Sequence, residues 1–147
     1  MASSQHQELC PVVDSELDSL RRQLCLPGGV TLQRVEGPAD WYLRPCAPED
    51  SIILGRKHLD WLRFPLPLLI HQFFALTAIH PMQLNANGIM IMMGLSALSV
   101  IYNMHIDLEV VFYAYKLTLI PKKGSYPTFY LQPLPGRHIF WGLQRSD

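Results

Sequence analysis

Charged side chains are scarce in this chain, and its middle has none. Only 16% of the residues are Asp, Glu, Lys or Arg, and none of these four occurs between residues 64 and 106. Globular proteins usually carry about a quarter. Leaving so long an apolar stretch in water would cost roughly 25 cal/mol for each Å² of apolar surface. The segment must therefore be buried in a core, in a partner's groove or in lipid.

An excess of charge of either sign is also missing. Twelve basic and twelve acidic residues give a formal net charge of zero, so the chain has no general attraction to polyanions such as nucleic acids. An apolar fraction of 49% argues against intrinsic disorder, and 147 residues suit one domain with a single core. The composition therefore predicts a single folded domain.

Cysteine pairs and targeting signals are absent as well. Cys10, Cys25 and Cys46 are widely spaced and form no Cys-x-x-Cys pair, which suits a reducing compartment. The N-terminus is polar and has neither the basic nor the apolar region of a secretory signal peptide. We therefore expect an intracellular protein, located in the cytoplasm or the nucleus.

Recognisable catalytic and metal-binding patterns are lacking. Among the six histidines, His71, His80 and His105 lie nine and twenty-five residues apart, outside any short zinc-binding pattern. The chain contains no aspartic-protease loop, no polymerase Asp pair and no phosphate-binding glycine loop, so transposase or integrase chemistry is not supported. We expect no enzyme activity, no cofactor and no bound metal ion.

Hydrophobic periodicity predicts a mainly helical protein. Asn85 and Asp107 are expected to cap the N-termini of two helices, and Asn103 to end one in the left-handed conformation. Ser96 and Ser99 are expected to return hydrogen bonds to the preceding helical turn. The last predicted helix is rich in β-branched and aromatic residues, which leaves a strand as an alternative there. The segments predicted as helices are 14–26, 66–78, 86–102 and 108–118.

Short extended segments flank these helices. Pro135 and Gly136 occupy the central positions of a predicted type II turn, which would join strands 126–132 and 137–143 into a hairpin. Two further short strands are expected at 30–35 and 41–44. The expected fold class is α+β: a mainly helical core of three to four helices with a C-terminal β-hairpin and short N-terminal strands.

Two groups of side chains could take part in recognition. A polarizable methionine patch could accommodate varied partners, although packing in the core is the preferred interpretation; its members are Met90, Met92, Met93 and Met104. Basic residues near the hairpin could contact phosphates; these are Lys116, Lys122, Lys123, Arg137 and Arg145. Tyr126, Tyr130 and Trp141 are expected to pack the sheet, so nucleic-acid binding is the weaker alternative.

Several short motifs follow one another from residue 64 onward. Phe64-Pro65-Leu66-Pro67 precedes an aromatic helix, and segment 81–89 opens an apolar helix that contains Met93-Gly94. In this order and spacing the motifs resemble the plant gypsy-type transposon domain, a retroelement-derived family, over somewhat more than half of the chain. The residues that match its motifs are Phe64, Pro65, Pro67, Phe73, Pro81, Leu84, Asn85, Asn87, Gly94, Asp107, Tyr115, Gly124, Tyr126, Phe129, Trp141 and Gly142.

The resemblance implies a Gag-like or accessory protein of a plant retroelement. Such a protein would act in structural assembly or protein interaction, self-association included, and would not be a catalyst. The chain has Ala86 where family members usually have proline, and it lacks their closing Lys-Gly-Trp segment, so we expect a truncated copy. The expected parts are a disordered N-terminus at 1–11, an N-terminal helix with a strand-rich connector at 12–60, and the transposon-like domain at 61–147.

Two alternatives remain open at this point. The chain could be a degenerate transposon fragment without activity. It could also be a membrane-associated protein that uses the apolar segment 84–102, but a spanning helix needs about 20 apolar residues and flanking positive charges, and this segment falls short of both. Membrane association is therefore the less favoured of the two.

Overall fold

The computed structural model describes residues 14–33, 54–120, 127–137 and 139. Within these ranges the chain forms five α-helices, one 3₁₀ turn and two strands. The helices are α1 (Asp14–Gln23), α2 (Arg56–Leu59), α3 (Leu68–Thr77), α4 (Ala86–Ile101) and α5 (Leu108–Ala114). The 3₁₀ turn is Pro81–Gln83, and the strands are β1 (Tyr115–Ile120) and β2 (Thr128–Pro133). The predicted α+β class is confirmed.

One hydrophobic core connects these elements. Helix α4 packs against α2, α3 and β2, and α5 packs against α3 and β1. Fully buried Phe73 of α3 stacks on Phe112 of α5, with ring centroids 5.9 Å apart and planes 19° from parallel. The other buried members of the core include Leu20, Leu24, Leu59, Leu62, Leu69, Ile70, Leu84, Ile89, Met92, Leu95, Val111, Tyr115 and Leu131.

The two predicted helix caps are confirmed. The Asn85 side chain accepts a hydrogen bond from the Gly88 N–H at 2.8 Å, and Asp107 accepts one from the Val110 N–H at 3.1 Å. Each cap satisfies a backbone donor that the first helical turn leaves without an intrahelical partner. The caps explain why α4 and α5 begin where the sequence predicts.

The predicted helix 108–118 is wrong in its second half. Helix α5 ends at Ala114, and β1 begins at Tyr115 and pairs with β2 in antiparallel register, Leu117 opposite Leu131 and Leu119 opposite Phe129. The strand alternative therefore holds for the end of this segment. Pairing with a strand that follows later in the chain outweighs the local helical pattern.

The C-terminal β-hairpin is confirmed, but its strands differ from those predicted. Strand β2 overlaps the predicted segment 126–132 and ends one residue later, at Pro133, and in the described residues the strand that pairs with it is β1. Most of 137–143 lies outside the described residues. The turn at 134–137 is present: the Arg137 N–H donates to the Leu134 carbonyl at 3.1 Å, and Gly136 has the positive φ of 71° that a type II turn requires.

Some predictions for the N-terminal part cannot be compared with the structure. Residues 30–33 are described and form no strand, whereas 34–53, including the predicted strand 41–44, lie outside the described residues, as does the N-terminus at 1–11. Helix α1 ends at Gln23, three residues before the predicted end, because Cys25 takes a left-handed φ of 53°.

Helix α3 ends at a residue whose backbone would suit glycine better. Ala78 has a φ of 53° and donates its N–H to the Phe74 carbonyl at 3.0 Å. Because a Cβ is disfavoured in this left-handed conformation, we expect Ala78→Gly to raise the free energy of unfolding by about 0.5–1 kcal/mol. Urea unfolding measures this. Ala75→Gly, an exposed position inside the same helix, is the control and is expected to lower stability by a similar amount; two shifts in the same direction would contradict the interpretation.

Candidate interaction surface

Helix α4 carries no ionisable side chain, and its two faces have different surroundings. One face lies in the core and is formed by Gly88, Ile89, Ile91, Met92, Leu95 and Ser96. Gly88 allows the close approach of this face to the preceding chain, because a Cβ at that position would lie 2.7 Å from Cγ of the fully buried Leu84. The charge-free segment therefore finds part of its burial inside the molecule's own fold.

The other face of α4 becomes exposed toward the C-terminal end of the helix. Val100 is 82% exposed and Ile101 70% exposed, and Tyr102 and Met104 beyond them are also largely exposed. Ala97, one turn before Ile101, is exposed as well. We call Ala97, Val100, Ile101, Tyr102 and Met104 the α4 patch. Apolar side chains that protrude together from a helix without charge are typical of a surface that another molecule covers.

Hydrogen bonds at the end of α4 hold the patch in place. Asn103 adopts the predicted left-handed conformation, with φ 48°. The Asn103 N–H donates to the Val100 carbonyl at 3.4 Å and the Met104 N–H to the Ser99 carbonyl at 3.0 Å, which is the Schellman pattern. Ser99 Oγ donates to the Met104 carbonyl at 2.6 Å. Met104 is thereby fixed beside the last turn of α4.

The two serines of α4 were predicted to behave alike and do not. Ser96 Oγ donates to the Met92 carbonyl at 2.8 Å, in the preceding turn, as predicted. The prediction for Ser99 is wrong, because its hydroxyl donates forward to Met104 after the chain reverses at Asn103. The Met104 carbonyl thus receives a donor that the sequence pattern did not reveal.

The methionines divide between the core and the surface. Met92 is buried, and Met90 and Met93 are half-buried on α4, so core packing is the correct interpretation for Met92. Met104 is more than half exposed and belongs to the α4 patch. Met104 is thus the one member of the predicted set that is exposed, and its role in recognition stays a prediction.

Exposed apolar side chains also occur elsewhere, in a different setting. Leu68 and Leu76 are exposed on α3, but the same helix also exposes the polar His71 and Gln72. Tyr113 of α5 is covered by the Arg137 guanidinium, whose central carbon lies 4.6 Å from the ring centroid. The α4 patch differs from these sites in that several exposed apolar side chains follow one another at the end of a helix without ionisable residues.

A buried histidine lies near the opposite end of α4. His58 of α2 donates from Nε2 to the Leu84 carbonyl at 2.7 Å, while its Nδ1 is buried without a hydrogen-bond partner. Loss of solvation lowers the pKa of His58 below 6.5, against a smaller opposing effect of nearby backbone carbonyls. Sequence reasoning missed His58, because its partner lies 26 residues further along the chain and no local pattern reports it.

The three histidines considered from sequence lie in separate places. His80 is half-buried and caps the 3₁₀ turn, its Nδ1 accepting the Met82 N–H at 3.2 Å; burial, and then the charge of His58, lower its pKa. His71 is exposed on α3. His105 lies on the surface, with its Nε2 3.4 Å from Asp107 Oδ2. Within the described residues no group of three His, Cys, Asp or Glu side chains could hold a metal ion.

The residues that match the transposon-domain motifs occupy mostly structural positions. Leu84, Asn85 and Phe129 come together, because the Asn85 N–H donates to the Phe129 carbonyl at 2.9 Å and Leu84 forms a parallel bridge to Phe129. Asn87 is exposed and Gly94 half-buried on α4. Phe64, Pro65 and Pro67 lead into α3, Pro81 opens the 3₁₀ turn, and Phe73 and Tyr115 are core residues. Gly124, Tyr126, Trp141 and Gly142 lie outside the described residues.

The predicted basic group is described at two positions only. Lys116 is exposed on β1, and Arg137 is exposed and lies over Tyr113; the remaining members are outside the described ranges. Tyr130 is half-buried in β2, and its hydroxyl donates to Gln132 Oε1 at 3.4 Å. These contacts leave nucleic-acid binding without a described site.

Membrane insertion was the other alternative raised by the apolar segment. Of the helices that the structure describes, none combines the length and the apolar character that crossing a bilayer requires.

Comparison with known proteins gives no relative: no protein-family model, no curated protein and no solved structure matches this chain. The resemblance to the gypsy-type transposon domain stays a prediction.

Proposed function

We propose that this protein is a non-catalytic structural and interaction domain, of the Gag-like or accessory kind found in plant retroelements, and that it self-associates through the α4 patch. The observation that carries the proposal is the exposure of Val100 and Ile101 on a helix that has no ionisable side chain. Covering the patch with a second apolar surface removes this area from water, which is favourable by roughly 25 cal/mol per Å².

A second copy of the chain is the partner that fits this surface. The patch contains no charged side chain, so it provides no ion-pair partner for a charged protein surface. Two copies of the patch related by a two-fold axis can therefore pack together without charge repulsion. Gly94 and Ala97 are small, which lets two helices approach to about 8 Å between their axes. We place the two-fold axis near Ala97, so that Ile101 of one copy packs beside the corresponding patch of the other.

The proposed location is the cytoplasm or the nucleus. Cys25 is a free and exposed thiol, and a reducing compartment keeps such a side chain from pairing.

Disulfide trapping tests the proposed contact. In a variant with Cys10, Cys25 and Cys46 replaced by serine, we introduce Ala97→Cys and expose the protein to mild oxidation. Because Cα atoms about 4.4–6.8 Å apart can be bridged, a two-fold axis near residue 97 predicts a covalent dimer at low micromolar concentration.

Ala75→Cys is the matched control for this experiment. Ala75 is an exposed alanine on α3, outside the α4 patch, and its cysteine is expected to stay unpaired. Equal trapping at the two positions, or none at residue 97, would refute self-association through α4. A protein that remains monomeric throughout would instead favour the degenerate-fragment alternative.

A further inference from the structure

His58 joins three elements at the start of α4. Its Nε2 donates to the carbonyl of Leu84, the residue that precedes the Asn85 cap and bridges to Phe129 of β2. Leu59 and Leu62, on and just after α2, are buried in the same hydrophobic core as Leu84. The hydrogen bond from His58 therefore ties α2 to the point where the 3₁₀ turn, α4 and β2 meet.

The unpartnered Nδ1 makes this junction sensitive to protons. A carbonyl oxygen can only accept, so Nε2 carries the proton and Nδ1 of the neutral ring carries a lone pair. In the described part of the chain, His58 Nδ1 and the Tyr115 hydroxyl are the buried side-chain polar atoms without a hydrogen-bond partner. Of these two side chains, only the His58 imidazole is of a type that ordinarily titrates between pH 5 and 8.

Burial of His58 favours the neutral ring, and it outweighs the smaller effect of the Gly55 and Leu84 backbone, which favours the cation. A Cβ placed on Gly55 would lie 3.1 Å from Nδ1 and 3.4 Å from the Met82 sulfur, so this side of the ring faces backbone and a thioether. Adding a proton there places a positive charge in a site with little water, which costs free energy unless a counter-ion is near.

No carboxylate compensates for that charge from the described elements packed against His58. The 3₁₀ turn is adjoined by His80, which would itself become positive, and α4 and β2 contain no ionisable acid or base other than Tyr130. Helix α2 carries Arg56 and Lys57, both positive, and the exposed Asp60 follows at its C-terminal end. The charges around His58 therefore disfavour the protonated form of its ring.

We infer that His58 is a pH-sensitive latch, and that its protonation releases α2 from the Leu84–Asn85 junction and uncovers the apolar side chains of Leu59, Leu62 and Met82. While the His58 ring is neutral, its hydrogen bond keeps α2 attached to the Leu84–Asn85 junction. Its pKa in the folded protein is below the ordinary 6.5, so the unfolded or opened chain binds the proton more readily. The stabilisation is therefore fully present above about pH 6.5 and is lost as the pH falls toward the folded-state value.

Hydrogen exchange measured by mass spectrometry at pH 7.5 and pH 5.5, with labelling times scaled for intrinsic exchange, tests the latch. We expect the peptides covering 54–64 and 80–88 to open several-fold more often at pH 5.5, up to the limit of about tenfold that a single group with an opened-state pKa of 6.5 allows, while the α5 peptide covering 108–114 changes little. His58→Gln keeps an N–H for the Leu84 carbonyl and cannot titrate, so it should remove the pH response. His71→Gln, at an exposed histidine on α3, is the matched control and should retain it. An unchanged response in His58→Gln, or no response in the wild type, would overturn the inference.

A second measurement covers the case in which His58→Gln does not fold. In the wild-type protein with ¹³C-labelled histidine, the His58 resonance is expected to titrate below pH 6.5. The exchange of 54–64 should rise as the pH falls from about 6.5 and level off in the pH range where the His58 resonance titrates. Exchange that stays constant between pH 6.5 and the pH at which His58 titrates, or a His58 resonance that does not titrate below pH 6.5, would overturn the latch. Neither experiment depends on self-association, so the proposed function can fail while the latch stands.

Discussion

Replacing Phe73 with alanine is expected to lower the free energy of unfolding by about 3–5 kcal/mol. The ring is fully buried, stacks on Phe112 of α5, and meets the Phe74 ring edge to face with centroids 5.5 Å apart. Truncation removes the apolar area and leaves a cavity between α3 and α5 that the surrounding helices can close only in part. Native domains are stable by about 5–15 kcal/mol, so this one change removes a large share.

Urea unfolding followed by far-UV circular dichroism measures the loss. Leu76→Ala on the same helix is the control, because Leu76 is 65% exposed and its truncation is expected to change stability by no more than about 0.5 kcal/mol. Both variants are compared with wild type at one protein concentration, since dimerisation adds to apparent stability. A loss in Phe73→Ala no larger than in the control would show that the α3–α5 contact is not part of the core.

The boundaries of α4 could be predicted because short polar side chains define them. Asn85 offers a side-chain acceptor to the first turn, and Asn103 tolerates the left-handed backbone that ends the helix. The end of α5 could not be predicted in the same way. Whether Leu117 and Leu119 continue a helix or form a strand depends on Leu131 and Phe129, which pair with them from across the hairpin.

The candidate surface was beyond sequence reasoning for a different reason. Helix α4 is apolar on all sides, so periodicity does not tell which face enters the core. The sequence indicated that the segment needs burial, and the fold supplies that burial for Leu95 but not for Val100 or Ile101. His58 was missed for a related reason: its acceptor is a backbone carbonyl, a group that every residue carries, so the sequence does not single out Leu84.

Replacing Ile101 with lysine is expected to weaken self-association by about a hundredfold, which corresponds to about 2.7 kcal/mol. In a two-fold dimer the change places two like charges in an apolar contact, where neither has a counter-ion. The fold of the single copy should be preserved, because Ile101 is 70% exposed and a positive charge suits the C-terminal end of a helix.

Leu76→Lys is the matched control for this variant. Leu76 has a similar exposure, lies in the last turn of α3, and is outside the α4 patch. The lysine there gives the same change in net charge, so any general effect of charge on association appears in both variants.

Sedimentation velocity of the wild-type protein, Ile101→Lys and Leu76→Lys over a range of micromolar concentrations tests directly whether the exposed end of α4 is where two copies meet. The account predicts a concentration-dependent dimer for the wild type and for Leu76→Lys, and a monomer for Ile101→Lys. A wild-type protein that sediments as a monomer throughout, or an Ile101→Lys variant that dimerises as the wild type does, would contradict it.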